Sequence, residues 1–233
     1  MFGGHFKVPE VVLHSVRASV VVVVFVLAFT DIAAAQSSAG WMKIPQIVVI
    51  GPADDPRLPL VDEAVTFWNK TLTELGSSFR LGAVRREEGS VPAEELSRMS
   101  NLVLESVGRR SPSWTLPESI RTIPGDLLVV LSNADFVSFA GPFAANHRRM
   151  VAIRGVAYPP MNLPNVARNV IAHEIGHAIG LGHNSDETSL MCGRPSSCRP
   201  GLFRSNEPKI FPLKDQELKA LLSIYPPNWT ASG

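Results

Sequence analysis

The chain has 233 residues, of which 45% are hydrophobic and 18% are charged, and its formal net charge is +1. This length is sufficient for one domain with a substantial hydrophobic core. Because the charge is nearly balanced, the composition gives no support for a nucleic acid or an anionic membrane surface as a partner.

The N-terminal residues have the pattern of a secretory signal. An uncharged, valine-rich run from Ala18 to Thr30 follows Arg17, and three alanines at 33–35 precede Gln36. We therefore predict a signal peptide at residues 1–35 and a secreted or extracytoplasmic protein. The run of 13 residues is short for a membrane span, but the long segment before it keeps an uncleaved membrane anchor as the alternative.

Strands and helices alternate in the first half of the mature chain. The apolar run within Lys43–Ile50 is typical of a strand. An amphipathic pattern predicts a helix at Leu60–Leu75, and a second strand is expected at Phe79–Val84. The polar segment Glu87–Pro92 is expected to form a loop, and a further helix is predicted at Ala93–Leu104.

The second half of the chain predicts more strands and then a long helix. Gly108–Pro124 is rich in Ser, Pro and Arg, which predicts an exposed loop. Two apolar segments, Asp126–Ser132 and Met150–Ile153, are typical of buried strands. An apolar helix follows them, and Asn165, after Pro164, is its expected N-cap.

These elements predict a single domain at residues 36–233 of the α/β (α+β) class. We expect a twisted mixed sheet, two main helices and a small C-terminal subdomain after Gly182. A cleft between the two parts would contain the active site.

The end of the long helix carries an H-E-x-x-H-x-x-G-x-x-H motif. His173 and His177 are four residues apart and therefore share one face of a helix. Gly180 and Gly182 allow a sharp turn, which would return His183 towards the same point from a new direction. Three neutral imidazoles at this spacing can hold one zinc ion and leave a coordination position open for water.

Glu174 is the candidate catalytic residue of this motif. It points about 100° around the helix from His173, so it would flank the metal rather than bind it. From there its carboxylate can take a proton from zinc-bound water, as in zinc hydrolases. A lone H-E-x-x-H can occur by chance in a buried helix, but the third histidine and the added glycine disfavour that reading.

Two cysteines, Cys192 and Cys198, follow the motif six residues apart. In an exported protein we expect them to form a disulfide, with two free thiols as the alternative. Cys192 is a weaker candidate for a zinc ligand because three histidines already fill the protein positions. His147, with Asp135, is a weak candidate for a second metal site, because no further histidine is available there.

The segment from Asn165 to Met191 resembles the metzincin clan, and most closely the matrixin family of zinc peptidases. The resemblance rests on the residues H-E-I-G-H-A-I-G-L-G-H-N-S-D, followed by S-L-M. The resemblance implies a zincin-like fold, with Met191 in a tight methionine turn beneath the zinc and a helix at Asp215–Tyr225. It also implies a cleft strand that binds substrate by strand addition, at Phe139–Ala145 or Met150–Arg154.

The chain also departs from the matrixin pattern. It has no cysteine before Cys192 to cap the zinc, and the Pro-x-Tyr that often follows the turn methionine is absent. Calcium and second-zinc sites are not recognisable, although calcium binding stays open. Asp186 either orients the methionine turn or is a polar turn residue.

The resemblance implies a secreted zinc endopeptidase that uses one catalytic zinc, acts on a protein or peptide substrate and is a monomer. The alternative from another class is a non-catalytic zinc-binding or interaction module that retains the metal site. A zinc hydrolase with a non-protein substrate is a third reading. Glu174 disfavours the non-catalytic module, because a structural zinc site needs no general base and usually closes its fourth position.

Overall fold

The structure is a computed structural model, and the residues it describes lie mainly after position 39. They are Met1, 40–105, 116, 118–141, 148–193, 198, 205 and 207–232. The predicted signal peptide at 1–35, and with it the alternative of a membrane anchor, falls outside these residues apart from Met1. Contacts divide the chain into two units after Ala33, and the described residues other than Met1 belong to the second unit. None of the described helices has both the length and the apolar character of a membrane span.

Five strands of the described chain form one mixed sheet in the order β2-β1-β3-β5-β4. Their bounds are β1 Ile47–Gly51, β2 Val84–Glu88, β3 Leu127–Leu131, β4 Phe139–Gly141 and β5 Arg149–Ile153. The first four in this order are parallel, and β4 pairs antiparallel with β5 at one edge. Strands β1 and β3 are apolar throughout, since helices cover both of their faces. The combination of parallel and antiparallel pairs confirms the predicted mixed sheet.

Helices pack on both faces of this sheet. The described helices are α1 Leu58–Glu74, α2 Ala93–Glu105, the single turn α3 Glu118–Arg121, α4 Pro164–Ala178 and α5 Asp215–Ile224. The two longest, α1 and α4, pack against each other and share a core with Ile47 and Val49 of β1. Residues of α2 and α3 lie over Val48 and Ile50 on the opposite face.

The second strand lies five residues later than the sequence predicted. The predicted strand at Phe79–Val84 is wrong, because Phe79 is buried in the core and Leu81 bonds to the side chain of Asn69 instead of a strand. The observed strand β2 is the charged segment Val84–Glu88, which overlaps the predicted loop at 87–92. Charged residues suit an edge strand, since they oppose pairing with another chain.

Two other local predictions differ from the structure. Helix α4 begins at Pro164, with Leu163 as its extended N-cap residue, because proline fits the first turn of a helix. Asn165 therefore is not the cap, and its Oδ1 accepts a hydrogen bond from the backbone N–H of Lys209 instead. The predicted loop at 108–124 contains α3, whose Ile120 is buried, while residues 106–115 and 117 lie outside the described residues.

Candidate metal centre

Helix α4 places two of the three motif histidines on one face. The Nε2 atoms of His173 and His177, one turn apart, are separated by 3.0 Å. The helix is anchored behind them, because the indole Nε1 of Trp68 on α1 donates to the carbonyl oxygen of Ala172 at 2.9 Å. The position of both rings is therefore set by the packing of α1 against α4.

The turn after α4 brings the third histidine to the same point. Gly180 has a φ of +110°, a conformation that favours glycine, and it ends the helix. Gly182 does not share this conformation, so the predicted break rests on Gly180 alone. Leu181 between them is buried. The Nε2 of His183 lies 3.2 Å from that of His173 and 2.9 Å from that of His177.

Backbone carbonyls fix the tautomer of two of these rings. The Nδ1 of His173 lies 2.7 Å from the carbonyl oxygen of Leu190, and the Nδ1 of His177 lies 2.8 Å from that of Leu181. A carbonyl oxygen can only accept a hydrogen bond, so each Nδ1 carries the proton and each Nε2 presents a lone pair. Both rings are thereby prepared to bind a metal through Nε2.

Burial also favours the neutral form of these histidines. It lowers the pKa of His173 to about 4, with the neighbouring His183 acting in the same direction. It lowers the pKa of His177 well below its usual value, again with contributions from the neighbouring rings. A neutral imidazole is the form that binds zinc.

The donor set fits zinc. Bonds of about 2.0–2.1 Å to three tetrahedral ligands place the nitrogens about 3.3–3.4 Å apart, slightly more than the observed separations. A metal site requires at least three His, Cys, Asp or Glu residues with ligand atoms close together, and among the described residues these three histidines meet that requirement. Asp135 instead pairs with Arg154 at 2.6 Å, and His147 lies outside the described residues.

Glu174 lies on α4 next to the first histidine, and only 7% of its surface is exposed. Burial raises the pKa of its carboxyl to about 8. Its carboxylate accepts no hydrogen bond from the part of the chain that the structure describes. A divalent cation nearby would act in the opposite direction on this pKa, because it favours the charged form.

Met191 is fully buried and packs against Gly176, which lies on α4 between the first two motif histidines. Gly176 makes this possible, because a Cβ at that position would lie 2.6 Å from the sulfur of Met191 and 2.8 Å from the ring of Trp68. The carbonyl oxygen of Met191 accepts a hydrogen bond from the N–H of Asn184 at 3.0 Å. The turn containing Met191 is thus joined to the residue that follows the third histidine.

Glu217 on α5 holds this turn, and the sequence analysis did not identify it. Its buried carboxylate accepts hydrogen bonds from the hydroxyl of Ser189 at 2.7 Å and from the Nδ2 of Asn184 at 2.7 Å. It also accepts one from the N–H of Lys214 at 2.6 Å. Its place in the first turn of a predicted helix was the available signal, since glutamates there often bind backbone N–H groups.

Asp186 lies in the same turn and is exposed. Its Oδ1 accepts hydrogen bonds from the N–H and hydroxyl of Thr188, at 2.8 and 2.7 Å. These bonds lower the pKa of the Asp186 carboxyl, and Lys214 acts in the same direction from 3.3 Å. The structure therefore makes Asp186 a turn-forming residue that also contacts the segment entering α5.

The predicted disulfide is present. Cys192 and Cys198 are bonded, with their Cα atoms 5.6 Å apart, and the alternative of two free thiols is wrong. Cys192 immediately follows Met191 and forms a parallel β-bridge with Asn184. The disulfide therefore closes a loop that starts at the metal centre, although residues 194–197 lie outside the described residues.

The sheet topology decides between the two candidates for the substrate-binding strand. Strand β5 lies inside the sheet, paired with β3 on one side and β4 on the other, so 150–154 has no free edge. Strand β4 lies at the edge and packs against α4. The candidate at 139–145 is thus the one that can pair with another chain, and its residues 142–145 lie outside the described residues.

Part of the chain is similar to known peptidase sequences. Residues 118–225 match the family model of the M10 peptidases, the matrixins. Matrix metalloproteinase-27 from Homo sapiens and its counterpart from Tupaia belangeri are each 38% identical to this chain over 56 residues. Each alignment covers 24% of this chain and 9% of the relative, so the chain spans less than a tenth of these curated relatives.

A solved structure is also similar in outline. It is the crystal structure of archaemetzincin from Methanopyrus kandleri, with a TM-score of 0.41 and 18% identity, covering 77% of this chain and 94% of that chain. This likeness is too weak to carry an argument, whereas the family match contains the whole histidine motif and α5. Residues 118–225, somewhat less than half of the chain, are therefore similar to the matrixins, and this segment contains all three motif histidines.

Proposed function

We propose that this chain is a secreted zinc endopeptidase that hydrolyses protein or peptide substrates. The observation that carries the proposal is the convergence of three histidine Nε2 atoms within 3.2 Å, beside the buried carboxyl of Glu174. An open three-histidine site next to a carboxylate is typical of a catalytic zinc centre, since structural sites have four protein ligands. The matrixin-like match supports a peptide bond as the target.

In this proposal, His173, His177 and His183 hold the zinc through Nε2. When bound there, zinc supplies a Lewis acid that lowers the pKa of water and polarises a carbonyl oxygen. The Nδ1 hydrogen bonds to backbone carbonyls keep the first two rings in the required tautomer and orientation. Met191 fills the space beneath the rings and excludes water from that side.

Glu174 is the proposed catalytic residue. One of its carboxylate oxygens accepts a proton from the attacking water, and the same group then delivers that proton to the amine of the departing peptide. The carboxylate must be charged to accept the proton, although burial raises its pKa. The positive charge of the ion held by the neighbouring histidines favours that charged state.

We propose that β4 binds the substrate as an added strand. Among the described strands, β4 pairs only with β5. An extended peptide could pair with the backbone of β4 along its other edge, beside α4. This arrangement would hold the scissile bond in a fixed direction across the histidines. Such backbone pairing requires an extended segment, which favours unfolded or loop regions of proteins as substrates.

Secretion is part of the proposal because two independent features favour an oxidising compartment. The N-terminal residues have the composition of a signal peptide. The disulfide between Cys192 and Cys198 is of the kind that persists outside the cytosol.

The test is cleavage of casein by the full chain, with and without a zinc chelator. We expect chelator-sensitive cleavage that zinc restores, and we expect Glu174→Ala to bind zinc normally while its turnover falls by at least about 100-fold. A matched control is Glu187→Ala, an exposed glutamate in the loop after the third histidine. A folded, zinc-loaded chain that cleaves nothing would favour the non-catalytic module instead.

A further inference from the structure

Three side chains from outside the motif hold the C-terminal end of α4. The carbonyl oxygen of Ala178, the last residue of this helix, accepts hydrogen bonds from the Nη1 of Arg149 at 2.6 Å and the indole Nε1 of Trp41 at 2.9 Å. The carbonyl oxygen of Ile179 accepts one from the hydroxyl of Tyr225 at 2.9 Å. The last carbonyls of a helix lack partners within the helix, and here side chains supply them.

The three side chains also contact one another. The guanidinium carbon of Arg149 lies 4.5 Å from the centroid of the Trp41 ring. The backbone N–H of Trp41 donates to the hydroxyl oxygen of Tyr225 at 3.0 Å, and the ring of Tyr225 stacks on Phe79 with centroids 3.9 Å apart. Burial raises the pKa of Tyr225 to about 12, so its hydroxyl stays protonated and can donate.

The buried charge of Arg149 requires an explanation. Only 2% of this residue is exposed, and burying a guanidinium is costly unless it is hydrogen-bonded. Packing alone would be served better by an apolar side chain at the start of β5. A cation at the C-terminal end of α4 instead interacts favourably with the negative end of the helix dipole.

The residues capped in this way lead directly to a proposed metal ligand. Gly180 follows the capped Ile179, and the N–H of Leu181 donates back to the carbonyl oxygen of Gly176 at 3.0 Å. The carbonyl oxygen of Leu181 then lies 2.8 Å from the Nδ1 of His177. The group that orients the second histidine is thus only two residues beyond the capped end of the helix.

We propose that Arg149, supported by Trp41 and Tyr225, is a positioning residue for His177. It fixes the end of α4 and the turn that follows, and so places the Leu181 carbonyl that orients the imidazole. The inference rests on the proposed zinc site, and it concerns metal affinity as well as turnover. Arg149 does not touch the metal or substrate in this proposal and acts through the turn.

The first test measures zinc affinity of the full chain by competition with a chromophoric chelator. Arg149→Met removes the charge and the donors, and we expect zinc binding to weaken by about tenfold, the lower end for loss of an outer-sphere partner. Tyr225→Phe removes one hydroxyl and keeps the stacked ring. If Arg149→Met fails to fold, this variant still tests whether side chains that cap the end of α4 affect zinc binding. We expect it to weaken binding by less than about tenfold, because Arg149 and Trp41 still bond to the carbonyl oxygen of Ala178.

Arg57→Met is the matched control. Arg57 is another buried arginine that donates to backbone carbonyls, those of Ser132 and Arg154, but it is the N-cap residue of α1 and does not cap α4. We expect this variant to lose stability without losing zinc affinity. Equal zinc affinity in the wild type, Arg149→Met and Tyr225→Phe would overturn the inference, as would equal losses in Arg149→Met and Arg57→Met.

A second readout reports on the individual histidines. In ¹⁵N spectra of the metal-free chain, we expect Arg149→Met to shift the Nδ1 signal of His177 and to leave that of His173, which the Leu190 carbonyl holds. No shift, or equal shifts in both rings, contradicts the inference. If the wild type binds zinc and cleaves casein while Arg149→Met binds zinc equally well, the inference alone fails. A wild type with no zinc affinity overturns the proposed function as well.

Discussion

At the scale of single residues, Gly176 shows how closely the helix and the methionine turn approach each other. The sulfur of Met191 and the ring of Trp68 lie where a Cβ would extend from the helix. Both side chains are fully buried, so neither has free space into which it can move. The glycine between the first two histidines is therefore required by packing, independently of any role in binding a metal.

Gly176→Ala should consequently lower the free energy of unfolding by about 1–3 kcal/mol, the usual cost of overpacking a core. It should also weaken zinc binding, because a displaced Met191 would shift the turn that its carbonyl oxygen joins to Asn184, the residue after His183. Chemical denaturation and chelator competition measure the two effects. Gly89→Ala is the control, since its Cβ would meet only the Cγ2 of Ile50 at 3.3 Å. Equal stability of the two variants would contradict this reading.

Glu217 is a second residue whose chemistry can be tested. Its carboxylate accepts from Ser189, Asn184 and Lys214, and a glutamine offers only one acceptor oxygen. We expect Glu217→Gln to cost about 1–3 kcal/mol, the penalty for an unsatisfied buried donor. Thermal unfolding measures this loss. Glu207→Gln, which removes an exposed ion pair with Lys209, should change stability little, and a similar loss in both would argue against the assigned role.

At the scale of elements, α4 and the turn after it bring the three motif histidines to one point. The three converging imidazoles present nitrogen lone pairs to one point, which suits a metal cation, so zinc binding should stabilise the folded chain. With zinc at about 1,000 times its dissociation constant, the expected gain is about 4 kcal/mol.

Chelation should therefore lower the melting temperature of the wild type, and added zinc should restore it. His177→Ala is the matched variant, because it removes one ligand and should abolish this dependence. Differential scanning calorimetry of both proteins, with and without a chelator, makes the comparison. If the melting temperature of the wild type did not change with zinc, the three histidines would not be the metal ligands.

Part of this arrangement could be predicted from the sequence, and the reason is local spacing. His173 and His177 converge because a helix repeats every 3.6 residues, and Gly180 marks the turn that returns His183. Glu217 and Arg149 were not predicted, because each bonds to a group far along the chain: Glu217 to the side chain of Ser189 and Arg149 to the carbonyl oxygen of Ala178. A single sequence carries no periodic signal for such contacts.

The same distinction explains the errors among the strands. The apolar runs at β1 and β3 predict buried strands correctly. Phe79 and Leu81 have the composition of a strand, yet both side chains belong to the main hydrophobic core, and the Phe79 ring stacks on Tyr225 just after α5. The charged segment at β2 becomes a strand only because β1 offers it a partner, which is tertiary context rather than propensity.

At the scale of the whole molecule, the disulfide constrains the region that follows the metal centre. It closes a loop with a sequence separation of six, for which the chain-entropy estimate gives about 2 kcal/mol. Cys192→Ser with Cys198→Ser should lose about this much stability in denaturant titrations. A reductant should destabilise the wild type by a similar amount and leave the double variant unchanged. A wild type that is insensitive to reduction would contradict the expected contribution.

The contacts of Trp41 bring together segments from opposite ends of the described domain. The indole Nε1 of Trp229 donates to the carbonyl oxygen of Trp41 at 3.2 Å, and the N–H of Ser232 donates to that of Met42 at 2.8 Å. A few flexible residues could therefore join residue 232 to residue 40. A circular permutant with this junction, opened in the exposed turn near Gly76, would retain the sheet, the helices and the three histidines in their present order in space.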